Sequence, residues 1–147
     1  MEGYRNILCA TDFSPCSETA LKRASSLAKT YNAQLTLLHV VEHFPEDRSN
    51  EEIAPEYTDP AHYRMSRARE QLAAQAARLG DADIAQEVLV SEHAAKYGIA
   101  RFAGEQQIDL IVVACHGWHG IDALLGSTAN GVLHKASCDV LAVYATK

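Results

Sequence analysis

Apolar and polar positions along this chain switch repeatedly between two periods. Arg5 to Ala10 reads as a short buried strand, and Ser14-Pro15 then carries the signature of a helix start, with Ser as N-cap and Pro at the first helical position. Ala20, Leu21, Ala24, Leu27 and Ala28 follow at helical spacing and define a core-facing stripe. Gln34 to Val41 predicts a second strand. Helical spacing returns from His62 to Leu79, with Met65, Ala68, Leu72, Ala76 and Leu79 on one face. Ile84 to Val90 predicts a third strand, and Glu92 to Gln106 a helix with Ala95, Ile99, Phe102 and Ala103 inward. Leu110 to Ala114 is a continuous apolar run, as expected of a strand buried on both faces. Leu124 to Ala136 predicts the last helix and Val140 to Tyr144 the last strand.

Five strands separated by helices imply an α/β fold: a doubly wound parallel sheet with helices on both faces and right-handed crossovers. In such sheets ligands bind beyond the carboxyl ends of the strands, where the strand order reverses. With an order of 3-2-1-4-5, Thr11-Asp12-Phe13-Ser14 and Cys115-His116-Gly117 flank one crevice. One stretch interrupts the pattern. Residues 42–60 hold seven carboxylates and three prolines with little apolar periodicity, which predicts a long acidic loop, either a connector or a lid or partner surface.

Composition narrows this picture. At 147 residues and 48% hydrophobic, the chain fits a single domain spanning residues 1–147. No segment approaches the roughly 20 apolar residues of a membrane span, and the polar start Met-Glu-Gly-Tyr-Arg-Asn lacks the features of a secretory signal, so a cytoplasmic location away from membranes is expected. A formal charge of −6 argues against nonspecific nucleic-acid binding, yet leaves room for one small anion held by backbone dipoles. Cys9, Cys16, Cys115 and Cys138 show no Cys-x-x-Cys spacing and read as small buried hydrophobes.

The candidate chemistry lies in Cys115 to Asn130, Cys-His-Gly-Trp-His-Gly-Ile-Asp-Ala-Leu-Leu-Gly-Ser-Thr-Ala-Asn. Gly117 and Gly120 follow a buried strand, and Gly126-Ser127-Thr128 stand at a helix start. Glycine lets backbone N–H groups approach an anion, and the hydroxyls of Ser127 and Thr128 add donors where the helix dipole favours negative charge. The loop is not a Walker A motif, because no Lys follows Gly126, and no Gly-x-Gly-x-x-Gly is present. Turn and cap residues without a ligand would give the same composition.

Taken together these segments resemble the universal stress protein family across essentially the whole chain. The resemblance rests on Ile7-Leu8-Cys9-Ala10-Thr11-Asp12-Phe13-Ser14, Leu37-Leu38-His39-Val40 and Asp109-Leu110-Ile111-Val112-Val113. His116-Gly117, Leu124-Leu125-Gly126-Ser127-Thr128 and Cys138-Asp139-Val140-Leu141-Ala142-Val143 complete it, in the family's order. It implies the 3-2-1-4-5 sheet and a homodimer paired through the last strand, Val140–Tyr144. In one branch of the family it also implies binding of ATP or AMP. That branch holds adenosine at positions matching Ala10, Thr11 and Asp12, contacts adenine through a main-chain group matching Val40, and lays phosphates on Gly117, Gly126, Ser127 and Thr128.

The chain departs from that branch's Gly-x2-Gly-x9-Gly-[Ser/Thr] pattern. Ala114 stands in place of the first glycine, and eight residues rather than nine separate Gly117 from Gly126, with Gly120 available to absorb the shortening. No Lys or Arg occurs between His116 and Asn130, so adenosine and the first phosphate should be held better than the outer ones. AMP and ADP should therefore compete well with ATP, and Mg²⁺ would enter only with ATP. His116 and His119 lack a third metal ligand nearby and fit loop or phosphate contacts. Trp118 reads equally as a stacking or interface residue and as a partly buried anchor. Asp12 fits either a nucleoside contact or a turn residue bonding nearby N–H groups, and His39 a satisfied core or rim histidine. The loop supplies no base and no cation for phosphoryl transfer, so hydrolysis, if any, should be slow. A response-regulator receiver is excluded because no phosphoacceptor Asp follows Leu89-Val90-Ser91. The alternative left open is a family member that has lost nucleotide binding and acts only as a dimeric interaction protein.

Overall fold

The computed structural model describes residues 3–42, 60–80, 83–115 and 127–144. Strands and helices alternate: β1 (Asn6–Ala10), α1 (Pro15–Tyr31), β2 (Gln34–Glu42), α2 (Pro60–Leu79), β3 (Ala85–Ser91), α3 (Ala95–Glu105), β4 (Leu110–Ala114), α4 (Ser127–Lys135) and β5 (Asp139–Val143). The sheet is parallel throughout with order β3-β2-β1-β4-β5, the expected doubly wound topology. Most of the acidic stretch, residues 43–59, lies outside the described residues.

Each face of the sheet has its own core. Leu21, Ala24 and Ala28 of α1 and Ala68, Leu72 and Ala76 of α2 cover Ile7, Cys9, Leu37 and Val112. Ile99, Phe102 and Ala103 of α3 and Ala129 and Val132 of α4 cover Leu8, Leu38, Val40, Ile111 and Val113. Adjacent strand residues thus feed opposite cores, which explains the unbroken apolar runs. Leu37 is fully buried, so Leu37→Ala would remove about 2–5 kcal/mol of stability. Leu27, Met65 and Leu79 only lean on the first core, because they sit at the rim of their helical stripes.

Local signals set the ends of α1. Ser14 caps it in an extended conformation, its Oγ accepting from Ser17 N at 3.2 Å, and Pro15 follows. Asn32 closes it in the left-handed region at φ 54°, donating to the carbonyls of Ala28 and Lys29. α3 begins later than expected, at Ala95 rather than Glu92. Ser91 Oγ accepts from His93 N at 3.0 Å, a side-chain turn that competes with helix formation, and Ala94 offers no capping side chain. The described part of α4 begins at Ser127; Leu124, where the pattern starts it, lies outside the described residues. β5 is shifted one residue from the predicted span, and Tyr144 follows it with 63% of its surface exposed. All four cysteines are free thiols, with Cys9 and Cys115 buried and Cys16 and Cys138 half-buried; burial pushes the Cys9 thiol far above its ordinary pKa.

Candidate functional site

The crevice is made where β1 parts from β4. Their pairing runs from Ile7↔Leu110 to Cys9↔Val112 and stops, while pairing of β1 with β2 continues to Ala10↔Leu38. Ala10 and Ala114 therefore stand, both half-buried, at the carboxyl ends of two strands that no longer bond each other. This is the switch point of the sheet.

Three side chains hold the turn beyond Ala10. Thr11 is buried; its Oγ1 accepts from Phe13 N at 3.0 Å, donates to Gln75 Oε1 at 3.0 Å and lies 3.0 Å from Ser17 Oγ. Asp12 is exposed, and its Oδ1 accepts from Ser14 N at 2.9 Å. Gln75, only 2% exposed on α2, donates to Glu18 Oε1 at 3.1 Å, and Arg78 pairs with the same carboxylate. A buried amide with its hydrogen bonds satisfied ties the turn to α2 without leaving polar atoms stranded. Between these bonds Phe13 is forced to φ 65°, an uncommon conformation for a bulky side chain and one found at ligand sites.

His39 packs beneath this turn. Its ring stacks on Phe13, with centroids 4.2 Å apart and planes at 29°, and its Nδ1 lies 2.7 Å from Thr11 O. A carbonyl only accepts, so the proton sits on Nδ1. Burial lowers the His39 pKa; the Thr11 carbonyl and the Asp12 and Glu42 carboxylates oppose that shift, and the Arg64 guanidinium adds to it. The imidazole is therefore neutral at physiological pH.

Val40 occupies the next position on β2. Its side chain is buried in the second core; a Cβ added at Gly98 of α3 would lie 3.4 Å from Val40 Cγ1 and Cγ2, so helix and strand already approach closely there. Gln34 N donates to Arg5 O at 2.8 Å and Thr11 N to Leu38 O at 2.9 Å, which sets the even-numbered residues of β2 toward β1. Val40 N–H and C=O thus point to the β1 side, past the residue where β1 ends.

Of the residues the sequence singles out, Ala10, Thr11, Asp12, Val40 and Ala114 lie at the carboxyl ends of β1, β2 and β4, and Thr128 is exposed in the first turn of α4. His116, Gly117, Trp118, His119, Gly120 and Gly126 lie outside the described residues, and Ser127 is described only as the start of α4. Asp12 fits the turn reading, its carboxylate accepting from Ser14 N, and the residue is exposed just beyond β1. The sequence gives His39 only as a satisfied core or rim histidine and does not single out Phe13, Ser17 or Gln75, whose roles depend on contacts across up to 64 positions.

A doubly wound domain with a crevice at the switch point of its sheet belongs to the class of folds that bind ligands at strand carboxyl ends. Comparison with known proteins identifies it further. The Universal stress protein family matches residues 3–144, and the chain belongs to that family. It is 39% identical over 141 residues to universal stress protein A homolog 1 of Coxiella burnetii, covering 96% of each chain. It is 38% identical over 144 residues to homolog 2 of the same organism, covering 97% of each. Among solved structures, a universal stress protein in complex with cAMP superposes with a TM-score of 0.66 at 28% identity, over 97% of this chain and 98% of that one. The Archaeoglobus fulgidus universal stress protein in complex with dAMP shares the fold at a TM-score of 0.69 and 21% identity, over 95% and 97% of the two chains. No described helix is long and apolar enough to cross a membrane.

Proposed function

We propose that this protein binds an adenine nucleotide in the crevice between β1 and β4 and acts as a dimeric regulatory or signalling module in the cytoplasm. The observation that carries this reading is the direction of the Val40 main chain. A backbone N–H beside a C=O on one edge offers one donor and one acceptor, matching the N6 donor of adenine and its neighbouring ring-nitrogen acceptor. Ala10, Thr11 and Asp12 border the same gap, where the ribose would lie. The nucleotide complexes of two family members support adenine as the base.

Phosphate binding is assigned to Gly117, Gly126, Ser127 and Thr128, with His116, His119 and Gly120 completing the loop and Ala114 at its start. The positive end of the α4 dipole favours an anion there. With no Lys or Arg from residue 116 to 130, the hold weakens beyond the first phosphate, so AMP and ADP compete with ATP, and Mg²⁺ accompanies ATP alone. Hydrolysis is slow at most for the same reason. The partner in the dimer is a second copy of this chain paired along β5, an edge strand whose outer side no described strand covers.

Calorimetric titration with AMP, ADP and ATP, with and without Mg²⁺, tests this proposal. Binding of all three with AMP at least comparable to ATP is expected. Absence of heat at millimolar nucleotide would overturn it, and would favour the interaction-only alternative suggested by the shortened glycine spacing.

A further inference from the structure

The sheet could have closed over the adenine edge by adding one more pair of rungs. In the register of β1 and β2, Thr11 N–H to Leu38 C=O is followed by Val40 N–H to Thr11 C=O and then by Phe13 N–H to Val40 C=O. Neither of these bonds is formed. Thr11 O is instead engaged by His39 Nδ1 at 2.7 Å, and Phe13 N by Thr11 Oγ1 at 3.0 Å. Phe13 N–H, a single donor, is thereby lost to Val40 C=O, and Thr11 C=O is directed to the imidazole instead of to Val40 N–H.

We infer that His39 and Thr11 are positioning residues whose side chains hold the β1–β2 ladder open at Val40, leaving its N–H and C=O available to a purine base. This rests on the nucleotide reading above for its ligand, but the open rung is a property of the protein without ligand. His39 touches no part of the proposed base contact; it acts through the Thr11 carbonyl. The stacking of Phe13 on the imidazole and the left-handed backbone of Phe13 follow from the same diversion, because the chain must turn away from β2 for Phe13 N–H to reach Thr11 Oγ1. Gln75 and Ser17, both buried, fix the Thr11 hydroxyl in place. Donors and acceptors are thereby satisfied around the turn while one backbone pair is kept out of the ladder.

The chemistry of the side chains supplies a selective test. In His39→Leu no donor engages Thr11 O, which can then accept from Val40 N–H and close the edge. In His39→Asn the amide Nδ2 occupies the place of Nδ1 and can still donate to that carbonyl. Residue-resolved amide exchange and AMP titration are measured on the full chain for the wild type and both variants. In the ligand-free wild type, Val40 N–H should exchange faster than the amides of Leu38 and Val41 and become protected when AMP is added. His39→Leu should protect Val40 without nucleotide and weaken AMP binding about tenfold, the equivalent of one hydrogen bond. His39→Asn should restore both properties toward wild type. Thr11→Val, which releases Phe13 N–H toward Val40 C=O, should slow amide exchange at Val40 in the ligand-free protein, a readout that loss of a direct nucleotide contact would not move.

Fast exchange at Val40 in a protein that binds no nucleotide would uphold the open rung and sink the proposed ligand. AMP binding with Val40 already protected in the ligand-free wild type would do the reverse. Equal losses of affinity in His39→Asn and His39→Leu would also overturn the inference. If His39→Leu fails to fold, the wild-type exchange pattern at Leu38, Val40 and Val41 still decides it.

Discussion

The two ends of β1 handle the same backbone chemistry in opposite ways. At the amino end everything is bonded shut. Asp109 accepts from Arg5 N at 2.8 Å and from Asn6 N at 3.1 Å, Asp109 N donates to Asn6 O at 3.0 Å, and Gln34 N donates to Arg5 O at 2.8 Å. At the carboxyl end another aspartate, Asp12, again accepts a main-chain N–H, but from its own turn, and the surrounding side chains draw backbone groups away from the ladder. One carboxylate welds neighbouring segments to the strand; the other helps the chain leave the sheet. The difference shows that an open parallel sheet does not leave a backbone edge unpaired merely by ending. The groups that would prolong the ladder have to be given other partners.

The amino end also has an open polar cleft of about 580 Å³, bordered by Tyr4, Tyr31, Asp109, Cys138 and Asp139. Size alone does not make it a place for a nucleotide. Tyr4 Oη already donates to Asp139 Oδ2 at 2.7 Å and the Asp109 carboxylate is taken by backbone, so the groups facing the cleft are acceptor-rich and anionic, the wrong sign for phosphate.

This contrast can be broken one end at a time. The largest effect is expected at the carboxyl end. Gly126→Val sets a β-branched side chain where the phosphate is assigned, and should reduce AMP affinity by roughly a hundredfold or more while the circular dichroism spectrum and unfolding midpoint stay near wild type. Retained affinity would remove Gly126 from the site. At the amino end, Asp109→Ala leaves two backbone N–H groups without their charged acceptor and should lower stability by about 2 kcal/mol in denaturant titration. Its AMP affinity should not change; a loss comparable to that of Gly126→Val would mean the two ends are not separable.

A smaller effect concerns pH. The folded-state pKa of His39 is lowered from its ordinary 6.5, mainly by burial, so the unfolded chain takes up the proton first. The neutral imidazole's contribution to stability is fully present above about pH 6.5 and declines as the pH falls below that value toward the folded pKa. His39→Asn, which cannot titrate, should show a shallower loss of stability than wild type over that acid range. Parallel curves would mean that His39 titrates alike in both states.

How much of this was readable beforehand follows the range of the interactions. Strands and helix stripes follow from apolar periodicity and the α1 start from Ser14-Pro15, because these signals are local, whereas the strand order is implied only by the family resemblance. The pattern starts α3 three residues before its observed start, since Glu92 and His93 suit a first helical turn until Ser91 Oγ takes the His93 amide. The sequence marks His39 as a satisfied core or rim histidine, which agrees with its hydrogen bond and is silent about its consequence. Its partner is a main-chain carbonyl 28 positions away, and carbonyls leave no mark in a sequence. Gln75, between Leu72 and Ala76, carries no signal of its own, because a polar residue inside an apolar stripe gains meaning only from what it faces. The glycine loop is the reverse case. Its composition was the most suggestive part of the chain, yet most of it lies outside the described residues, and its contacts stand as a proposal.

The most direct measurement of the central claim is a two-dimensional NMR titration of the isotope-labelled protein with AMP. The account predicts that the amide signals of Ala10, Thr11, Asp12, Val40 and Thr128 shift together and saturably, while those of Arg5, Asn6 and Asp109 stay in place. Shifts centred on the Asp109 end, or none at millimolar AMP, would contradict it.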